Sequence, residues 1–178
     1  LLYRSHGITR NAAYMTHKSD GPWYYQQIDL GFNYRMTDIQ AALGYSQMDR
    51  LDAFVARRRE LVARYDSLLK DLPVRTPYVM EEANPSWHIY IVQVNFSEIG
   101  KTKAQVFQEM KARGIVLNLH YIPVHRQPYY EKLGFHKGDF PHSEQYYYAA
   151  FTLPLYYGLT DEQQDIVASN LRDILSAS

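Results

Sequence analysis

A helical pattern that runs from Thr37 to about Lys70 constrains the fold more than any other feature of the chain. Its apolar residues recur mostly at steps of three, four and seven, at Ile39, Leu43, Leu51, Val55, Val62, Tyr65 and Leu69. This spacing is typical of an amphipathic helix, and no proline interrupts it. At 1.5 Å per residue, one continuous helix would be about 50 Å long. We expect a rod of that length to join two parts of a molecule or to cross an interface.

Three capping boxes predict where helices begin. Each places a threonine three residues before a glutamine, in the pairs Thr37 with Gln40, Thr102 with Gln105 and Thr160 with Gln163. Gly114 stands where a glycine commonly ends the second of these helices. A tyrosine-rich helix is also predicted around residues 143–150.

β-Branched and aromatic runs between these helices predict strands at residues 74–79, 87–95 and 115–123, and a short strand or extended segment at 151–156. A small α+β domain therefore follows the long helix. Residues 1–34 have no sustained period and are interpreted as loop with a short helix. The charged run from Arg57 to Glu60 is expected to form a solvated face.

Composition excludes several classes of protein. The 178 residues suffice for a sizeable core. Lys plus Arg and Asp plus Glu number 19 each, so nothing favours a nucleic-acid surface or a polybasic membrane anchor. There is no cysteine, and no apolar run approaches the ~20 residues that span a bilayer. Because the chain opens on LLYRSHGITR, without Met or a leader, we expect it to be a piece of a longer protein.

The segment RSHGITR (4–10) places Arg4, His6 and Arg10 around Gly7. Two cations and an imidazole beside a glycine could hold a phosphate or a carboxylate. The alternative is a surface loop with scattered polar groups.

Gly31, Asn33 and Arg35 lie just before the helix that begins after Thr37. Free N–H groups and the positive end of the helix dipole favour an anion there, and an amide and a guanidinium add donors for phosphate oxygens. Alternatively, Asn33 makes a local turn bond and Arg35 pairs with an acid such as Asp38.

The segment LHYIPVH (119–125) holds His120 and His125 with Tyr121 between them. On a strand the two histidines would face opposite ways, and the segment contains no carboxylate. We therefore expect no metal site here but a hydrogen-bonding lip over a polar ligand.

Taken in order, RSHGITR, GFNYRMTDIQAALG, LHYIPVH and FTLPLYYGLTDEQ resemble the C-terminal half of the DegT/DnrJ/EryC1/StrS aminotransferases. The resemblance covers essentially the whole chain. It implies an α/β protein of the PLP-transferase type (aminotransferase fold type I). Residues 1–34 would be the tail of the large PLP-binding domain, 35–70 a long connecting helix and 71–178 a small α+β C-terminal domain.

The resemblance also implies roles for seven side chains. In the family, the asparagine that matches Asn33 reaches into the neighbouring subunit and binds the phosphate of pyridoxal 5'-phosphate, and Arg35 lies near the same shared site. The other five would contact substrate at or near the mouth of the site: His120, Tyr121, His125, His6 and Arg10. No metal is implied.

Within the family, the chain is most similar to transaminases that act on UDP-linked 4-keto-6-deoxy-N-acetylhexosamines, as in pseudaminic acid biosynthesis. A homodimer with shared active sites would transfer an amino group from glutamate to C4 of such a UDP-sugar, in the cytoplasm. Each half-reaction would use pyridoxal phosphate, held by a lysine as a Schiff base.

That lysine is expected upstream, since none of the seven lysines here lies in its family context. No catalytic residue is therefore assigned within this chain, and the chain alone is expected to be inactive. Residues 1–34 should be ordered only where another chain covers them. Two alternatives stay open: a non-catalytic binding or oligomerisation module, and a dehydratase of the same family in which histidine replaces the lysine.

Overall fold

The computed structural model describes residues 2–176, which fall into two units that divide between Leu51 and Asp52. The helices are α1 (Asp38–Met48), α2 (Leu51–Leu68), α3 (Lys103–Ala112), α4 (Pro128–Glu131), α5 (Pro141–Ala149) and α6 (Asp161–Ser176). The strands are β1 (Ile8–Thr9), β2 (Gln26–Gln27), β3 (Val74–Arg75), β4 (Tyr90–Val94) and β5 (Ala150–Leu153). Short 3₁₀ helices lie at Ala12–Tyr14 and Val124–Arg126. No helix within residues 2–176 is both long and apolar enough to cross a membrane.

The prediction of one continuous helix from Thr37 to Lys70 is wrong. The chain forms α1 and α2, separated by a turn at Asp49 and Arg50. The amide of Arg50 donates to the carbonyl of Gln47, three residues back rather than four, which tightens the backbone away from α-helical geometry. Aspartate disfavours helix interiors because its carboxylate competes for backbone donors, and α1 has no buried residue that would offset this cost.

The predicted apolar stripe reaches a core only in α2. Ile39 and Leu43 of α1 are 83% and 64% exposed. Leu61, Val62 and Tyr65 of α2 are buried. Sequence periodicity thus predicts the buried face of α2, whereas the α1 part of the predicted stripe is exposed.

The second unit is built on a three-stranded antiparallel sheet in the order β3-β4-β5. Tyr90, Val92 and Val94 of β4 are buried, while the residues between them are half-buried. The alternation gives β4 one face directed towards the core. Every residue of β5 is buried, and its Thr152 pairs with Ile91 on one side and with Asn118 on the other.

The core of the second unit joins this sheet to α2, α3 and α6. Its members include Tyr65 of α2, Val106 and Met110 of α3, and Leu171 and Ile174 of α6, each 0–1% exposed. Burying an apolar side chain of this size stabilises a fold by about 1.5–3 kcal/mol. In residues 2–51, by contrast, no apolar side chain is buried.

All three predicted capping boxes are confirmed, at Thr37, Thr102 and Thr160. Gly114 ends α3 with a φ of +79°. Its amide donates to Lys111, and the amide of Ile115 donates to Met110. These two bonds form a Schellman motif, as the glycine predicts.

All of the predicted strands are shorter than expected, and two of them are largely absent. Residues 74–79 form a strand only at β3, because Pro77 cannot donate to a ladder. Residues 115–123 form only the isolated bridge between Asn118 and Thr152. There the side chain of Asn118 accepts from the amide of Leu119, and such local bonds compete with strand pairing.

The arginines of α2 do not form a merely solvated face. Arg57 donates to the carbonyl of Leu159 and to Asp161. Arg58 donates to the carbonyl of Trp87, and its neighbour Arg59 donates to a carbonyl of the same loop. The run therefore holds loop carbonyls that have no strand partner.

Candidate cofactor and substrate site

The first and second candidate segments lie side by side in the first unit. The amide of His6 donates to the carbonyl of Phe32 (2.9 Å), and the amide of Tyr34 donates to the carbonyl of Arg4 (3.0 Å). Ser5 and Asn33 form an antiparallel bridge between these bonds. Two motifs separated by more than 20 residues in sequence thus become one local structure.

Gly7 and Gly31 permit this close pairing. A Cβ on Gly7 would lie 1.9 Å from the carbonyl oxygen of Asp29, and one on Gly31 would lie 2.3 Å from the amide nitrogen of Gly7. Gly7 also has a φ of +72°, which glycine adopts without strain. The glycine before Asn33 is therefore required by the approach of two backbones.

Asn33 and Arg35 are exposed, and their side chains form no hydrogen bond or ion pair within residues 2–176. The local alternatives, a turn bond from Asn33 and an Arg35–Asp38 pair, are not observed. Two residues beyond Arg35, Thr37 begins α1, with its capping box satisfied by Gln40. A free amide and a free guanidinium before a helix start fit the phosphate of pyridoxal phosphate.

His6 and Arg10 belong to the same unit. His6 is half-buried and has a φ of +60°, while its ring makes no hydrogen bond to another described residue. The guanidinium of Arg10 lies 5.9 Å from the ring centre of Tyr25, close enough for a cation–π contact. Their predicted contact with substrate stays a prediction.

In the second unit, His120 and Tyr121 form an edge-to-face pair with ring centres 4.7 Å apart. A cis peptide bond joins the two residues. Nδ1 of His120 lies 2.7 Å from Oγ1 of Thr152, so the ring is attached to β5. Tyr121 is 73% exposed, which suits a residue at the lip of a polar site.

His125 has a different environment from His120, and the structure does not bring the two rings together. His125 is 7% exposed, and its Nε2 lies 2.8 Å from a carboxylate oxygen of Glu144. The amide of Gly138 donates to the same oxygen at 2.6 Å. These two bonds, that of Gly138 first, hold the pKa of Glu144 below its ordinary value. Contact between His125 and substrate stays a prediction, and the observed contact of this ring joins α5 to the 3₁₀ helix at Val124–Arg126.

Two of the described lysines have side-chain partners. Lys101 pairs with Glu109 at 2.9 Å. Lys103 donates to the carbonyl of Tyr147 and lies 4.8 Å from its ring centre, and burial lowers its pKa to about 8. Both contacts are with residues of the second unit, and neither identifies Lys101 or Lys103 as the lysine that holds the cofactor. No group of three or more His, Cys, Asp or Glu suited to a metal occurs in residues 2–176.

Sequence reasoning missed Thr152 and Glu144, the partners of the two predicted histidines. Each partner lies far along the chain from its histidine, at separations of 32 and 19 residues. No spacing rule connects them. The sequence offers only weak signals for these partners, namely a threonine within a predicted strand and a carboxylate within a predicted helix.

Comparison with known proteins identifies the family. Residues 1–172 match the sequence model described as the DegT/DnrJ/EryC1/StrS aminotransferase family. The spore coat polysaccharide biosynthesis protein SpsC of Bacillus subtilis is 36% identical over 176 residues, which are 97% of this chain and 45% of SpsC. The chain thus spans less than half of the length of this relative.

Solved structures agree in fold. Spr1654 of Streptococcus pneumoniae in its PMP-form has a TM-score of 0.84 and 28% identity, over 98% of this chain and 41% of Spr1654, and a PLP-form is also known. Helicobacter pylori PseC, an aminotransferase involved in the biosynthesis of pseudoaminic acid, has a TM-score of 0.84 but 24% identity, over 99% of this chain and 45% of PseC. The PseC likeness concerns the fold alone.

The predicted PLP-transferase fold is confirmed by these neighbours, and pyridoxal 5'-phosphate is the cofactor of this group of enzymes. The match of the family model extends over nearly the whole sequence. The chain therefore belongs to the DegT/DnrJ/EryC1/StrS aminotransferase family.

Proposed function

We propose that this chain is the C-terminal part of a sugar aminotransferase that transfers an amino group from glutamate to C4 of a UDP-linked 4-keto-6-deoxy-N-acetylhexosamine. Glutamate would leave as the 2-keto acid, and the C4 ketone of the sugar would become an amine. When bound, pyridoxal phosphate supplies the electron sink for both halves of this exchange. The parent protein would be a homodimer located in the cytoplasm.

The observation that carries the proposal is the free pair of donors formed by Asn33 and Arg35. Both side chains are exposed and unpartnered in the part of the chain that the structure describes. The bridge between Ser5 and Asn33 nevertheless fixes the backbone that presents them. Polar side chains on a fixed backbone, without an internal partner, are suited to a ligand from outside the unit. In this proposal that ligand is the cofactor phosphate of the neighbouring subunit.

The second unit would supply two neighbouring substrate contacts. His120 and Tyr121 lie together, and Tyr121 extends into solvent. Their ring nitrogen and phenol would bind polar groups of the UDP-sugar. His6, Arg10 and His125 are proposed as further substrate contacts on the basis of the family resemblance. The chain alone would not transaminate, because the cofactor lysine lies upstream in this proposal.

The first test uses the chain extended upstream by about 200 residues, roughly one further domain. Its absorbance is recorded with pyridoxal phosphate, before and after addition of glutamate. We expect a visible band that glutamate bleaches, and catalytic turnover when the keto sugar follows. A band that fails to form, or that no amino donor changes, would instead favour the dehydratase or the non-catalytic module.

The Asn33→Ala variant of the extended protein tests the phosphate contact. Loss of a hydrogen bond to a charged group costs about 1.5–3 kcal/mol, so the Kd of the cofactor should rise about ten- to a hundredfold. Asn84→Ala is the matched control, since Asn84 is also exposed and makes no side-chain hydrogen bond within the described residues. Equal affinity in the Asn33 variant and in the control would contradict the assignment.

Mixing two defective variants, at a cofactor concentration well below the raised Kd of the Asn33→Ala variant, tests whether Asn33 acts across the subunit boundary. One variant lacks the upstream lysine, and the other carries Asn33→Ala. If each site combines the lysine of one subunit with Asn33 of the other, a mixed dimer contains one intact site and activity returns. If both groups come from the same chain, every site in the mixture stays defective.

A further inference from the structure

The hydrogen bond between the Thr152 hydroxyl and the His120 ring has two possible directions. The surroundings of the two groups distinguish these directions. Thr152 is 6% exposed. Its Oγ1 lies 2.7 Å from Nδ1 of His120, and the Thr152 side chain makes no other hydrogen bond to a described residue. The backbone of Thr152 is fixed by two bonds with Asn118, of 2.8 and 3.2 Å. With this backbone fixed, Nδ1 of His120 is the partner that the structure places within hydrogen-bond distance of the hydroxyl among the described residues.

A comparison of the donors that are satisfied in each case favours one direction for this bond. If Nδ1 carried the proton, the threonine oxygen would accept it, and the buried hydroxyl hydrogen would have no acceptor among the described residues. An unsatisfied buried donor is costly. If the hydroxyl donates to an unprotonated Nδ1, every hydrogen is satisfied, and the ring proton lies on Nε2.

Nε2 of His120 is accessible from outside the unit. It has no hydrogen-bond partner within residues 2–176. No buried nitrogen or oxygen of a described side chain lacks a partner. Nε2 must therefore reach solvent, beside the exposed ring of Tyr121.

We propose that the Thr152 hydroxyl donates to Nδ1 of His120 and thereby fixes His120 as an Nε2–H donor at the substrate lip. His120 would then bind an acceptor oxygen of the substrate, such as a carbonyl or phosphate oxygen, and would not act as a general base through Nε2. Thr152 is a positioning residue in this arrangement. The assignment of a ligand to His120 rests on the function proposed above, whereas the direction of the Thr152–His120 bond does not.

The test is ¹⁵N-detected imidazole NMR of the chain at about pH 9, where imidazole is neutral. Protonated and unprotonated ring nitrogens resonate in separate regions, so the tautomer can be determined directly. We expect an unprotonated Nδ1 in essentially all wild-type molecules. A protonated Nδ1 of His120 would overturn the proposal without any need for a variant.

Three variants isolate the role of the hydroxyl. Thr152→Val keeps the branched shape but removes the donor, and it should give a mixture of tautomers in which Nδ1–H is detectable. Thr152→Ser restores a hydroxyl and should restore the wild-type tautomer. Thr76→Val is the matched control, because Thr76 makes no side-chain hydrogen bond within the described residues, and it should change nothing. The same tautomer ratio in Thr152→Val and wild type would refute the positioning role.

The enzymatic consequence is measured separately in the extended protein. Loss of a neutral hydrogen bond costs about 0.5–1.5 kcal/mol, so Thr152→Val should raise the KM for the keto sugar about two- to tenfold, and Thr152→Ser should reverse this rise. A shifted tautomer with an unchanged KM would leave the bond direction intact and would refute His120 as a substrate contact.

Discussion

At the scale of single residues, Glu144 shows how one carboxylate organises a loop. Its buried oxygen accepts from the Gly138 amide and lies beside Nε2 of His125. The ring of His125 also packs against Phe140, with centres 4.9 Å apart. The carboxylate thus joins α5 to the segment that precedes it, and its ionised form is the one that these donors favour.

The stability of the chain should therefore depend on the ionisation of Glu144. Its pKa in the folded chain is lower than the ordinary 4.5, so the unfolded chain binds this proton more readily. The stabilisation is then fully present above about pH 4.5 and is lost as the pH falls through the lower folded value. Glu144→Gln should lower the free energy of unfolding at pH 7, and the difference from wild type should shrink in acid.

Urea unfolding at a series of pH values between about 7 and 3 measures this difference. Glu81→Gln is the control, because Glu81 is exposed and has no side-chain partner within the described chain. A gap between Glu144→Gln and wild type that stays constant across the series would contradict the ionic role.

Residue by residue, the local sequence proposes candidate side chains but does not predict their surroundings. Asn33 and Arg35 are interpreted from the sequence as candidate donors before a helix, and neither side chain has a partner within residues 2–176. His120 and His125 were recognised together as a lip. Their different environments follow from Thr152 and Glu144, which the local pattern around the histidines does not include.

At the scale of elements, helix starts follow from short-range chemistry. The boxes at Thr37 and Thr102 have the same geometry, with the threonine side chain bonded to the amide three residues on and the glutamine bonded back. Their helices nevertheless differ in burial. α3 buries Val106 and Met110, whereas α1 buries nothing.

Equal caps should therefore have unequal effects on stability. Thr102→Ala should lower the free energy of unfolding of the second unit by about 1 kcal/mol, because α3 is part of its core. Thr37→Ala should leave that value nearly unchanged, because α1 has no buried side chain through which its helix could be coupled to the core.

Tryptophan fluorescence during urea unfolding provides the measurement. Trp87 packs against the core of the second unit, and Trp23 lies in the first unit and is 70% exposed. A Trp23→Phe background therefore isolates the signal of Trp87. Equal losses from the two threonine variants would show that α1 is coupled to the core after all.

At the scale of the whole molecule, apolar burial is unevenly distributed. The buried apolar residues of the described chain lie between Leu61 and Leu175. Residues 2–51 expose large apolar side chains that include Leu30, Phe32 and Ile39. The family relatives are more than twice as long as this chain, so the proposed parent has further protein that can cover this surface.

Hydrogen exchange of the chain should reveal this distribution. We expect the slowest amides in β4, β5, α6 and the second half of α2, because these elements form the core. Residues 2–51 should exchange quickly, and α1 should do so as well, since it buries no residue. In the extended protein, the amides of α1 should become protected.

If α1 is as well protected from exchange as α6 in a monomeric chain, this expectation is contradicted. The oligomeric state should be measured in the same sample, because a second copy could cover the same apolar residues. Assignment of residues 1–34 to the tail of a larger domain stays a prediction until the extended protein is examined.

The sequence by itself determined the features that arise within a few residues: the three capped helix starts, the glycine end of α3, the presence of β4 and the motifs that identify the family. Tertiary structure alone decided the loop partners of the α2 arginines, the pairing of Thr152 with His120 and the pairing of Glu144 with His125. The physical reason is range. A cap or a turn is satisfied by neighbours in the chain, whereas a buried hydroxyl or carboxylate takes whichever partner the folded backbone brings within 3 Å.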